Sequence, residues 1–273
     1  MPWAKVEATT EIYYETLGEG PAVLLIMGTG ADHTAWAFQA PALVQAGYRV
    51  ILPDNRGVGR SRSDLPSERY TVKRLAEDLR AVLDEAQVER AHVIGMSLGS
   101  AIAQELTLAH PDRVGTLHLN VTWGRTDPWL RWVFQSLHAM AGLEDRDLYD
   151  EAVSVWACSP WMINDDAARL EWISQWRQHP YRPSRQGLQG QWTADLGHDA
   201  MGRLRGIQRP TLVTAGEIDS LVPARYGRQV AEAIPGARFH LFTGARSSHI
   251  HCIEMAGEFN GLALEFMAAH RIG

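Results

Sequence analysis

The chain has 273 residues, 45% hydrophobic and 21% charged, a globular composition that suits one large domain or two small ones and excludes a disordered chain. Its net charge of -6 comes from interspersed acids and bases without a basic block, so neither nucleic acid nor an anionic membrane surface is an expected partner. The amino-terminal stretch MPWAKVEATTEIYYE lacks a charged-then-apolar leader, no apolar run approaches the ~20 residues that cross a bilayer, and Cys158 and Cys252 are too few and too scattered for a disulfide framework or a structural zinc site; a cytoplasmic protein with two free thiols is expected.

In chain order, the apolar run 22–27 predicts a strand, 34–45 a helix and 48–53 a second strand. Thr71 is a fitting N-cap for an amphipathic helix over 72–87, where Leu75, Leu79, Val82 and Leu83 share one face. A strand at 92–96, a helix at 98–109 and a strand at 114–121 follow. Strands alternating with helices predict a parallel sheet. From 122 to about 200 there is helical periodicity without a convincing strand, and Trp123, Trp129, Trp132, Trp156, Trp161, Trp172, Trp176 and Trp192 all fall there. Strand signals resume at 211–215 and 238–242, with helices at 224–233 and 255–270. The middle segment is therefore expected to be a helical insertion into one αβ unit.

Between the 92–96 strand and the helix after it lies Gly95-Met96-Ser97-Leu98-Gly99, a G-x-S-x-G sequence in strand-turn-helix context. Such a turn strains the backbone of Ser97 and thrusts its hydroxyl above the sheet, and the small Gly95 and Gly99 avoid the resulting clashes. A serine hydroxyl is a poor nucleophile at neutral pH, so a histidine must take its proton and a carboxylate must fix the imidazole tautomer. Asp219 follows the 211–215 strand and His249 follows the 238–242 strand, giving the order Ser, Asp, His. Glu217 is the rival carboxylate, read as a solvated loop charge, and His251 the rival histidine, read as a packing residue. The developing oxyanion needs two donors: the backbone N–H of Leu98 at the helix start, and that of Thr29 in the loop Gly28-Thr29-Gly30.

These residues resemble the α/β-hydrolase superfamily over nearly the whole chain. Besides the serine turn, Asp54-Asn55-Arg56-Gly57-Val58-Gly59-Arg60-Ser61 is similar to the family's D-x-R-G-x-G-x-S turn, and His249 with Glu254, Phe259 and Asn260 is similar to its closing segment. Met27-Gly28 stands where many members have His-Gly, and Ser100 where many have a further glycine. The resemblance implies a mostly parallel eight-stranded sheet flanked by helices, formed by 1–121 and 201–273, with a helical cap at 122–200 inserted after the sixth strand. It also implies no metal and no cofactor. Within the superfamily the motifs look most like carboxylesterases, enol-lactonases and polyketide methylesterases, so the expected substrate is a small hydrophobic ester or lactone. Ser97, where haloalkane dehalogenases and epoxide hydrolases carry aspartate, disfavours those chemistries. Carbon–carbon hydrolysis of ring-cleavage products, cofactor-free perhydrolysis or acyl transfer, and a non-enzymatic receptor role stay open.

Overall fold

In the computed structural model, which describes residues 3–272, the apolar runs become strands of one sheet. The strands are β1 (Trp3–Glu7), β2 (Thr10–Leu17), β3 (Ala22–Ile26), β4 (Arg49–Pro53), β5 (Arg62–Ser63), β6 (Ala91–Met96), β7 (Val114–Asn120), β8 (Thr211–Gly216) and β9 (Arg238–Phe242). Their order is β1-β2-β4-β3-β6-β7-β8-β9, with β5 beside β2. The six strands from β4 to β9 along this order pair in parallel, while β1, β2 and β5 pair antiparallel. Alternation along each central strand feeds two cores. Leu24 and Ile26 of β3 and Val93 of β6 point into one cluster, whereas Val23 and Leu25 of β3 and Ile94 and Met96 of β6 point into the other. Both faces being buried, these strands read as continuous apolar runs.

Helices α1 (Gln39–Gln45), α2 (Val72–Glu85) and α3 (Leu98–Ala109) connect the early strands. Thr71 caps α2 by accepting from the Arg74 N–H, and the helix ends at Glu85 because Gln87 adopts a φ of 54°. The helix expected over 34–45 is instead a 3₁₀ turn, His33–Trp36, followed by α1. Pro41 explains the break, since it has no N–H to offer the carbonyl four residues back and its ring crowds that carbonyl. The sheet has nine strands against the expected eight. The extra strand, β5, is two residues long and pairs Ser63 with Thr10 and Arg62 with Glu11, too short to carry any periodicity. Counted without it, β7 is the sixth strand.

Between β7 and β8 run α4 (Pro128–Ala141), α5 (Arg146–Ala157), α6 (Pro160–Asn164), α7 (Asp166–Arg177) and α8 (Arg185–Gly197). Each starts on a residue whose side chain accepts from its first turn: Asp127, Asp145, Ser159, Asp165 and Ser184. These caps satisfy otherwise orphaned N–H groups and divide the insertion into short helices. The chain closes through α9 (Ala224–Ala233), α10 (His251–Glu254) and α11 (Ala256–Ala269). No described helix is long and apolar enough to cross a membrane.

Candidate active site

From β3 the chain turns one way to β4, and on its other side β3 pairs with β6, so the strand order reverses between β3 and β6. A crevice opens at the carboxyl ends of strands at such a reversal. The loop after β3 carries Gly28 and Thr29, and the turn after β6 carries Ser97; topology alone brings them together. A Cβ on Gly28 would lie 3.0 Å from the Ser97 Cβ.

Ser97 has φ 53° and ψ −121°, a region costly for any residue with a side chain, on the order of 1–3 kcal/mol. Its neighbours accommodate that turn by lacking side chains: a Cβ at Gly95 would meet the Gly99 carbonyl oxygen at 2.3 Å, and one at Gly99 the Ile26 carbonyl oxygen at 2.1 Å. Ser100, the departure from a further glycine, donates its hydroxyl to the Ser97 carbonyl at 2.6 Å and so tightens the turn. Ser97 and His249 face one cavity of about 410 Å³ that also reaches Gly28, Thr29 and the inserted helices α5 and α7.

His249 is 4% exposed, and its Nδ1 lies 2.9 Å from Asp219 Oδ2. The other Asp219 oxygen accepts from the Leu221 and Val222 N–H groups, both at 2.9 Å, so the carboxylate is fixed before it meets the ring. With Nδ1 engaged by Asp219, Nε2 is the ring nitrogen left for a base to use. Ser97 Oγ has no hydrogen-bond partner among the described residues; such contacts often tighten only when substrate binds. The rivals are occupied elsewhere. Glu217 is exposed and accepts from the Gly244 N–H at 3.1 Å. His251 donates from Nδ1 to the Ser248 carbonyl, packs against the Phe242 ring at 4.5 Å, and is held neutral by burial, which pulls its pKa down to about 4.

Leu98 opens α3, and neither its N–H nor that of Thr29 has a partner among the described residues. Free amides at the positive end of a helix and in a neighbouring loop are suited to an oxyanion. The Asp54–Ser61 turn lies outside this chemistry: Arg56 is fully buried and grips Asp78 through Nε at 2.8 Å and Nη2 at 2.6 Å. Asp54 accepts from the His33 and Arg60 N–H groups at 3.0 and 2.8 Å. Asp32, His33 and Asp54 come within 4.8 Å of one another, a spacing a cation could use, but these bonds already occupy Asp54. Both cysteines are buried, and burial pushes each thiol up to about 12, away from reactivity.

Of the residues around the site, Glu254 belongs to the closing segment read from the sequence, whereas Gln191 and Asp195 gave no motif signal. Glu254 accepts from both Ser248 and Ser159, joining the His249 loop to the start of α6. Gln191 and Asp195 of α8 hold the Thr29 loop, as described below. Their one readable trace is a face with Gly187, Gly190 and Ala194 at helical spacing, small residues that allow close approach. Of the eight tryptophans in the insertion, Trp172, Trp176 and Trp192 line the cavity. Trp123 is buried against Phe134, whereas Trp132 is 78% exposed and Trp129 and Trp161 lie under the guanidinium groups of Arg225 and Arg246.

A family model described as alpha/beta hydrolase fold matches residues 21–155. A putative carbamate hydrolase, RutD, of Azorhizobium caulinodans is 35% identical over 87% of this chain and 88% of its own. The chain belongs to the α/β-hydrolase family. The crystal structure of a putative non-heme bromoperoxidase, BpoC, from Mycobacterium tuberculosis H37Rv superposes on this hydrolase with a TM-score of 0.86 at 30% identity, covering 96% of this chain and 97% of that one. The enol-lactonase from Burkholderia xenovorans LB400 gives a TM-score of 0.86 at 27% identity, with 98% and 100% covered.

Proposed function

We propose that this hydrolase cleaves a carboxylic ester or lactone of a small, largely apolar substrate through an acyl-enzyme on Ser97. The observation that carries the reading is the Asp219–His249 hydrogen bond, set at the wall of the cavity into which the strained Ser97 projects. Ser97 Oγ attacks the carbonyl carbon while His249 takes its proton, and Asp219 holds the ring in the required tautomer and stabilises the imidazolium. The Leu98 and Thr29 N–H groups receive the oxyanion. His249 then returns the proton to the departing alkoxide and later activates the water that releases the acid. In this scheme 1–121 and 201–273 form the catalytic core and 122–200 is a cap that shapes the acyl or aromatic pocket with Trp172 and Trp176. The names of the carbamate hydrolase and the enol-lactonase both fit attack on a carbonyl carbon, which supports the reaction type.

The test is turnover of p-nitrophenyl acetate and butyrate by the parent and the Ser97→Ala variant, beside a 2-hydroxy-6-oxo-dienoate. Ester turnover that disappears with Ser97 supports the reading. Turnover of the dienoate alone replaces it with carbon–carbon hydrolysis, and turnover of neither by a folded protein that binds apolar esters turns it into a receptor.

A further inference from the structure

Thr29 and Gly30 are both tied to α8 by side chains. The Thr29 hydroxyl donates to Asp195 Oδ2 at 2.6 Å, and the Gly30 N–H donates to Gln191 Oε1 at 2.8 Å. Gln191 is itself fixed, since its Nε2 donates to the Arg56 carbonyl at 3.0 Å. The Thr29 N–H alone is left free between these anchors. α8 in turn cannot drift. A Cβ on Gly187 would meet the Gly57 carbonyl oxygen at 2.0 Å, one on Gly190 would meet the Tyr70 ring at 2.7 Å, and the Asp195 carbonyl accepts from the Thr126 hydroxyl at 2.6 Å.

Asp195 is 1% exposed, has no ion-pair partner among the described residues, and leaves its Oδ1 without a hydrogen bond. A buried carboxyl with one partner costs stability relative to an apolar side chain of similar size. Its one side-chain partner is the residue whose N–H faces the oxyanion position. Burial drives its pKa well above the usual carboxylate range, with the Thr29 hydrogen bond opposing.

We propose that Asp195 is a positioning residue for the oxyanion loop: through the Thr29 hydroxyl it holds the Thr29 N–H where the tetrahedral oxygen forms. The inference rests on the reading of Ser97 and Thr29 given under Proposed function. Because the anchor lies on the inserted segment, the oxyanion site is complete only while α8 is docked.

The experiment compares Asp195→Leu, Asp195→Asn, Thr29→Val and the Thr29→Val/Asp195→Leu pair, with kcat and KM for p-nitrophenyl butyrate and the rate of Ser97 labelling by a fluorophosphonate. Asp195→Leu and Thr29→Val should each lower kcat and the labelling rate by about tenfold or more with KM within about twofold, since the lost contact acts in the transition state. The pair should fall no further than either alone, the signature of one shared interaction. Asp195→Asn, neutral and still able to accept from Thr29, should recover to within about threefold of the parent. Thr29→Val replaces one hydroxyl with a methyl of similar size on a half-buried side chain, so it reads the tie even if Asp195→Leu does not fold. Unchanged kcat and labelling in Thr29→Val, additive losses in the pair, or an Asp195→Asn variant as slow as Asp195→Leu would overturn the inference. A parent that the fluorophosphonate does not label would overturn the Ser97 reading as well.

Discussion

Helices α7 and α8 lie in the same insertion and are close in length, 12 and 13 residues, yet they relate to the molecule differently. Of α7 only Ile173 is buried, and its half-buried Trp172 and Trp176 extend over the cavity. Seven residues of α8 are buried, among them Gly187, Gly190, Gln191 and Asp195, and they mesh with the loops after β3 and β4. The first helix is held by a few large side chains at its rim. The second is held by backbone-to-backbone approach and hydrogen bonds that only small or polar residues permit. One segment between β7 and β8 thus contains a helix buried like the core and a helix largely exposed at the cavity rim.

That contrast predicts that substitutions rank by which wall they touch. The largest effect belongs to the wall neither helix supplies. Ser97→Ala should lower kcat for p-nitrophenyl butyrate by on the order of 10⁴-fold or more while the melting temperature holds, because it deletes the attacking atom and leaves the Cβ and the backbone turn as they are. A variant retaining more than about a tenth of parental kcat would remove Ser97 from the mechanism.

Next come the groups that prepare the base. Asp219→Asn should cost about 10³- to 10⁴-fold in kcat, whereas Glu217→Gln should change it by less than about threefold, since only Asp219 meets the His249 ring. In the same series, His249→Ala should lose fluorophosphonate labelling of Ser97 and His251→Ala should keep it in whatever fraction folds. The opposite ranking in either pair would reassign the acid or the base.

The two helices themselves separate below this. Gly187→Ala forces a methyl group against the Gly57 carbonyl, so it should destabilise the fold by about 1–3 kcal/mol and lower kcat with it, as α8 backs away from the Thr29 loop. Trp176→Ala should do the reverse, reducing the preference for butyrate over acetate by roughly 5- to 10-fold with a smaller loss of stability. Calorimetry and a chain-length panel on both variants check the pair. A Gly187 variant as stable as the parent, or a Trp176 variant with unchanged chain-length preference, would erase the distinction between the helices.

Much of this architecture was legible in the chain. β9, α3 and α9 match their expected spans, and the central strands fall within about a residue of theirs, because buried runs bounded by turns leave little freedom. Ser97, Asp219 and His249 stood out since each follows a strand at its carboxyl end, and parallel strands carry those ends to one side. The misses have physical causes as well. β5 exists only because the Asp54–Ser61 turn returns the chain to β2, and the 34–45 helix was broken by Pro41 inside an otherwise helical pattern. In the insertion, Trp129, Trp132 and Trp161 lie on the surface, two of them covered by arginines. Clustering along the chain says nothing about which face of a short helix a residue occupies.

By itself, then, the sequence determined what is set by local backbone rules and chain order: strand-turn-helix geometry at Ser97, glycines where a Cβ cannot fit, the Thr71 cap of α2, and Asp219 and His249 after successive parallel strands. Tertiary structure alone decided which carboxyl and amide groups of α8 meet the Thr29 loop, since Thr29 and Asp195 are 166 residues apart and form their bond only after two separate layers have docked. Such a pairing leaves no periodicity or spacing to read, because its energy depends on burial and on distances that exist only in the folded molecule.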